Sequence, residues 1–355
     1  MSRFWSPVVE RLVPYTPGEQ PKGGTFIKLN TNENPYGPSP RALEAIRAST
    51  DGRLRLYPDP AAADLAQAIG ARFGLGPENV FLGNGSDEVL AHAFHAFFAG
   101  RGPILFPDVT YSFYRSTCAL YGIEYREIAL DDSFRTDPAD WRAPCGGMVI
   151  ANPNAPTGIA LPLAALRQIL AQAPDTLVLV DEAYVDFGGA SAAGLVAEFD
   201  NLLVVQTFSK SRSLAGLRVG FALGQPPLIE ALRRIKDSFN SYPLGHLALA
   251  GALAAWEDRA WFEQTRAQVM AERGRMAAGL AGQGFQVLPS ATNFLFASHA
   301  ALRAETLLAD LRAQGILVRH FTAPRIRNWL RISVGTAQDG DALLQATARI
   351  AAARA

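Results

Sequence analysis

From about residue 60 to residue 240 the chain alternates helix-like and strand-like segments of hydrophobic and polar residues. Pro60–Phe73 reads as a helix that stops at Gly74, followed by a short strand at Asn79–Leu82 and a helix at Ser86–Phe98. The alternation continues through a strand at Pro103–Phe106, a helix at Tyr111–Tyr121 and strands at Glu124–Ala129 and Met148–Ala151. A helix at Pro162–Ala171, strands at Thr176–Val180, Leu202–Thr207 and Leu217–Leu223, and a helix at Pro227–Phe239 complete it. The runs Val178-Leu179-Val180 and Leu202–Val205 do not alternate, as expected for strands buried on both faces. The pattern predicts an α/β fold: a large domain over 46–244 with a mostly parallel central sheet flanked by helices.

Outside that region the texture changes. Residues 1–40 are rich in Pro, Gly and Asn and read as an irregular arm, after which Ser39-Pro40 opens a helix. After about 245, helices at Leu247–Trp256 and Arg259–Ala281 lead to a strand at Asn293–Ala297 and a helix at Arg303–Ala313. Strands at Ile316–Arg319 and Trp329–Val334 and a last helix from Asp339 follow. We expect residues 1–45 and 245–355, the arm with this tail, to form a smaller α+β domain.

Composition narrows the function. Hydrophobic residues make up 49% of 355, enough for a large core, and the formal net charge is zero. There is no basic excess to attract nucleic acid or an anionic membrane, and no apolar run long enough to span one. Cys118 and Cys145 lie far apart, which argues against a disulfide framework or a zinc site. With no apolar stretch near the N-terminus, a cytoplasmic protein is the expectation.

Against this background Lys210 stands out. Only four of 33 basic residues are lysines, and this one lies between Ser209 and Ser211 directly after an apolar strand, with Arg218 eight residues on. A lysine amine can form a Schiff base with an aldehyde, and arginine with serine can hold a phosphate. Phe81–Glu88 reads as strand, glycine turn and helix start, whose free amides favour a phosphate. It is neither a dinucleotide fingerprint, because Glu88 stands where the third glycine would fall, nor a P-loop. Asn152–Gly158 follows another strand, where α/β folds bind ligands. Val178–Tyr184 ends a buried strand in Asp181, a carboxylate that needs a cation or donor, with Tyr184 three residues later. Together these supply what pyridoxal 5′-phosphate requires.

The chain resembles the fold-type I pyridoxal-phosphate aminotransferases, and most of all the histidinol-phosphate aminotransferase family. The resemblance rests on Asn32–Pro38, Tyr57-Pro58-Asp59, Gly83–Glu88, Asp181–Tyr184, Ser209-Lys210, Leu214–Arg218 and Leu330–Gly335, and it spans nearly the whole chain. It implies that Lys210 forms the Schiff base and that Asp181 pairs with the ring nitrogen while Tyr184 donates to the ring 3′-oxygen. Ser209, Arg218 and the amides near Gly85 and Ser86 would hold the phosphate, Asp87 would belong to the cofactor site, and Tyr111 would stack on the ring. Tyr57 would reach the cofactor phosphate of a neighbouring subunit, making a homodimer with shared sites. Tyr15 and the arm Asn32–Gly37, with Asn34 and Tyr36 in it, would line the substrate, and Arg319 and Arg331 would meet it.

One position departs from the family's Asn-Pro-Thr-Gly: Ala155 stands where the asparagine supporting the ring 3′-oxygen is expected. Asn154 is the neighbouring candidate for that role. The implied reaction is ping-pong amino transfer between L-histidinol phosphate and 2-oxoglutarate, in histidine biosynthesis, with Lys210 as proton carrier. An aromatic amino-acid aminotransferase and a phosphothreonine decarboxylase on the same scaffold stay open as alternatives.

Overall fold

A computed structural model of the chain describes residues 2–23 and 25–354. Its centre is a seven-stranded sheet. In spatial order the strands are Val80–Asn84, Val219–Gly224, Leu202–Thr207, Val178–Asp181, Gly147–Ala151, Ile104–Pro107 and Tyr125–Ile128. Val219–Gly224 runs antiparallel to both neighbours, and the other pairings are parallel. The non-alternating runs have the expected cause. Val178, Val180, Leu202 and Val204 point into one hydrophobic core, while Leu179, Leu203 and Val205 point into a second core on the opposite face. All seven side chains are fully buried, so neither face of the central strands has a polar side.

The smaller layer is a four-stranded antiparallel sheet ordered Arg319–His320, Trp329–Ser333, Phe294–His299, Phe285–Val287. Helices Arg259–Gly282, Ala304–Ala313 and Ala337–Arg354 share a core with it. Phe285–Val287 was not expected from the sequence, because three residues after a glycine turn carry too little pattern. The arm is also less irregular than expected. Pro7–Arg11 is a short helix, and Ile27–Lys28 pairs in parallel with Ile316–Leu317, which ties the arm to the smaller layer.

The boundary drawn at 244/245 needs correction. Helices Pro40–Ala48 and His246–Glu257 pack on one another and contribute Ala42, Ala252, Ala255 and Trp256 to the core of the large sheet. Gly251 makes this approach possible, since a Cβ there would lie 2.8 Å from Ile46 and Leu217. The two layers meet through Val109, Leu130 and Phe134 on one side and Leu288, Phe296 and Ile326 on the other. Arg325 crosses the same seam to Asp108 at 2.6 Å and to the Leu130 carbonyl at 2.5 Å. Among the described residues no helix is long and apolar enough to cross a membrane, and no cluster could hold a metal.

Candidate active site

The carboxyl ends of Gly147–Ala151, Val178–Asp181 and Leu202–Thr207 open onto a cavity of about 250 Å3 between the two layers. Tyr15, Ser86, Asp87, Tyr111, Asp181, Tyr184, Ser209, Lys210, Arg218, Arg319 and Arg331 line it. Residues far apart in sequence thus meet where parallel strands end, the usual place for ligands in such sheets.

Asp181 closes its strand at 5% exposure. Its carboxylate accepts a hydrogen bond from the Tyr114 hydroxyl at 2.7 Å and from the Ala183 amide at 3.2 Å. Burial pushes its pKa up to about 6 despite these two donors. A buried anion held at such cost fits a cationic partner in the cavity. Tyr114 was missed in the sequence, because it lies inside a helix where only packing shows which face meets Asp181. Glu182, next in the chain, serves another end. It is buried among Ser191, the Ala192 amide and Gln206, and its pKa rises to about 7, chiefly through burial.

Lys210 lies just past the strand Leu202–Thr207. Its Nζ is 3.4 Å from the Thr31 carbonyl and 5.8 Å from the centre of the Tyr184 ring. The amine therefore faces the cavity with no carboxylate of the described residues within salt-bridge distance.

At the other end of the cavity the helix Gly85–Phe97 presents its first turn beside Arg218. Gly85 has φ +79°, and a Cβ on it would sit 2.4 Å from Arg218 Nη2. A Cβ on Gly220 would sit 2.3 Å from the Ser86 amide nitrogen. Two glycines thus let a guanidinium and a helix N-terminus crowd together, as a phosphate cradle requires. Asp87 holds Arg218 Nη2 at 3.2 Å and accepts from the Tyr111 hydroxyl at 3.3 Å. Burial, with Asp87 adding to it, keeps that hydroxyl protonated far above the usual tyrosine range.

Arg319 and Arg331 are direct cross-strand partners. Arg319 donates to the Thr16 and Pro17 carbonyls of the arm, which places Tyr15 at the cavity edge. Arg331 is enclosed by the Phe294 and Phe321 rings, and burial lowers its pKa. It donates to the Asn30 carbonyl at 3.2 Å, and its Nε is buried with no partner. Neither arginine makes a salt bridge among the described residues. Two cations without a carboxylate suit an anionic ligand.

An amine, a strand-end carboxylate, a phosphate cradle and a tyrosine hydroxyl around one cavity fit the aldehyde, ring nitrogen, phosphate and ring oxygen of pyridoxal phosphate. The comparisons agree. The family described as Aminotransferase class I and II matches residues 24–346. A histidinol-phosphate aminotransferase of Acetobacter pasteurianus is 61% identical over 98% of this chain and 97% of its own length. The chain belongs to the class I and II aminotransferases, among the histidinol-phosphate aminotransferases. A second aminotransferase of that name, from Rhizobium meliloti, is 59% identical over 95% of this chain and 96% of its own. The crystal structure of a histidinol-phosphate aminotransferase from Sinorhizobium meliloti in complex with pyridoxal-5′-phosphate superposes with a TM-score of 0.88. It is 25% identical and covers 100% of this chain and 99% of that one.

Four expected site residues do not face this aminotransferase's cavity. Asn154 is turned away: its amide nitrogen donates to the Val109 carbonyl and Thr157 Oγ1, and its oxygen accepts from Thr110. With its hydrogen bonds spent, it does not replace the asparagine missing at Ala155. Asn34 donates to the Lys210 carbonyl at 3.1 Å, so it holds the lysine's backbone. Tyr36 packs against the core of the smaller layer. Tyr57 is 79% exposed and stacks on Tyr242 at 4.6 Å, outside the cavity of its own chain. Gly85 acts through the space it leaves. Asn32, in the arm expected to line the substrate, lines the cavity and bonds Tyr184, a contact the sequence did not show.

Proposed function

We propose that this aminotransferase moves the amino group of L-histidinol phosphate to 2-oxoglutarate, in histidine biosynthesis in the cytoplasm, with pyridoxal phosphate as cofactor. The observation that carries the substrate assignment is the Arg319–Arg331 pair beside Lys210, with a buried, unpartnered Arg331 Nε. One guanidinium site then accepts the phosphate of the amine donor and the carboxylate of the acceptor in turn. Relatives at 56–61% identity that carry this activity in their names support the assignment.

When bound, pyridoxal phosphate supplies a reactive aldehyde and an electron-withdrawing ring. Lys210 would hold that aldehyde at rest, and its freed Nζ would carry the proton to and from the substrate carbon. Asp181 would pair with the ring nitrogen and keep it protonated, and Tyr184 would donate to the ring 3′-oxygen. Ser209, Arg218 and the amides of Gly85 and Ser86 would hold the phosphate, with Asp87 orienting Arg218. Tyr111 would cover the ring face. Tyr57, displayed on the surface, acts on the neighbouring subunit of a homodimer.

The test is a spectrophotometric titration of the cofactor-loaded protein with histidinol phosphate beside phenylalanine. Conversion of the visible band at low histidinol phosphate, reversed by 2-oxoglutarate, is expected. A preference for phenylalanine would transfer the assignment to aromatic amino acids, and carbon dioxide release from phosphothreonine would transfer it to decarboxylation. Arg331→Leu should raise the KM for histidinol phosphate about tenfold to a hundredfold, the loss of charged hydrogen bonds. An unchanged KM refutes the anion site.

A further inference from the structure

Ala155 leaves the turn after Gly147–Ala151 without a side-chain donor in the cavity, and Asn154 is committed elsewhere. Another asparagine, arriving from the arm, occupies the cavity wall. Asn32 is 1% exposed and has φ +56°, a conformation asparagine tolerates better than most residues. It is held at every polar atom. Its N–H donates to Ser333 Oγ at 2.9 Å, and its C=O accepts from Asn293 Nδ2 at 2.9 Å. Its Oδ1 accepts from the Ser333 hydroxyl at 2.9 Å, and its Nδ2 donates to the Tyr184 hydroxyl oxygen at 3.0 Å.

These contacts set the polarity of the chain of protons. Ser333 Oγ already accepts the Asn32 N–H, so its own proton goes to Asn32 Oδ1. That orientation turns Nδ2 toward Tyr184, whose oxygen becomes an acceptor. The Tyr184 proton is then left without a protein partner among the described residues. The Tyr184 ring is fixed at right angles to Phe294, with centroids 5.1 Å apart, so the hydroxyl does not swing away.

We propose that Ser333 and Asn32 form a relay that aims the Tyr184 hydroxyl proton at the 3′-oxygen of the cofactor ring, in place of the side chain Ala155 lacks. Asn32 is thus a positioning residue acting through Tyr184. The proposal rests on the pyridoxal-phosphate reading above. Its chemical consequence concerns the imine between Lys210 and the cofactor. The imine proton is shared with the 3′-oxygen. A donor to that oxygen draws off negative charge, weakens its hold on the imine proton and lowers the imine pKa. The ionisable groups around Tyr184 are Lys210, Arg331, Tyr111 and Tyr114, and the carboxylates of Glu33 and Asp181 act on Lys210; the variants below leave all six in place.

The experiment titrates the visible absorbance of the cofactor-loaded enzyme against pH, with the cofactor dissociation constant measured in parallel. Asn32→Gly accepts the positive φ and removes the amide, and it should raise the imine pKa by about one unit, the size of one hydrogen bond. Asn32→Asp replaces the donor by an acceptor that captures the Tyr184 proton, and it should raise the pKa at least as far. Ser333→Ala, which frees the amide to turn, should give a smaller rise and serves if the Asn32 variants do not fold. Adding Ala155→Asn to Asn32→Gly should bring the pKa back toward wild type. A wild-type imine pKa in the loaded variants overturns the relay. A shift that Ala155→Asn leaves uncorrected overturns the exchange of roles. A wild-type protein that shows no titrating band overturns the cofactor reading itself, a distinct result.

Discussion

Replacing Asp181 by asparagine should make the cofactor-free protein more stable and the enzyme nearly inert. The carboxylate is buried with a pKa raised from 3.8 to about 6, chiefly by desolvation. A carboxyl whose folded pKa lies above its unfolded value costs stability wherever it is ionised in the folded state. The cost is complete above about pH 6, falls as the pH drops, and vanishes below the unfolded value. A shift of this size corresponds to roughly 3 kcal/mol at neutral pH. The Tyr114 hydroxyl and the Ala183 amide bond different carboxylate oxygens, so asparagine keeps its oxygen for the Ala183 amide while its NH2 donates to the Tyr114 hydroxyl oxygen, which reverses that bond without leaving either contact empty. The gain should appear as a higher melting temperature of the cofactor-free variant at about pH 7.5, reduced by about half near pH 5. Turnover should fall about a thousandfold, because a close ion pair in the partly screened interior is worth about 4 kcal/mol. Thermal unfolding at the two pH values and single-turnover absorbance changes read the two effects. Equal stability of variant and wild type at neutral pH refutes the claim of a stored desolvation cost. Turnover within tenfold of wild type, in protein loaded with cofactor, refutes the pairing with the ring nitrogen.

Two further outcomes follow from the same geometry. Gly85→Ala should weaken cofactor binding at least about tenfold, because its Cβ would press on Arg218 and strain a backbone at φ +79°; equilibrium dialysis that finds wild-type affinity contradicts the cradle. Mixing Tyr57→Phe with Lys210→Ala chains should regenerate some activity through hybrid dimers that hold one native site. Verified hybrids that stay inactive argue against a shared site.

Much of the fold was legible because burial leaves a mark on sequence. The central strands had to be apolar on both faces, and the glycines and capping residues had to stand where the chain turns. Lys210, Asp181, Tyr184 and Arg218 were legible for a related reason: each stands at an element boundary with a residue type that a plain turn does not require. Tyr114 was not legible, and neither was the contact that Asn32 makes. Tyr114 lies in the first turn of its helix close to Tyr111 and Phe113, and nothing local says which of these aromatic residues meets Asp181. Asn32 and Asn34 are two residues apart in one polar run, yet one bonds Tyr184 and the other the Lys210 backbone. The large domain's extent was misjudged because helix His246–Glu257 carries no sign of which core it joins.

The sequence alone determined the alternating α/β pattern, the amine and the carboxylate that line the cavity, and the missing asparagine at Ala155. Those are properties of residue type and periodicity, which are local. Only the tertiary structure decided that Asn154 turns inward to Thr110 and Thr157, that the Nε of Arg331 is buried with no partner among the described residues, and that Asn32 reaches Tyr184. Hydrogen-bond polarity and burial depend on atoms brought together from distant parts of the chain, and residue order does not encode them at any fixed spacing.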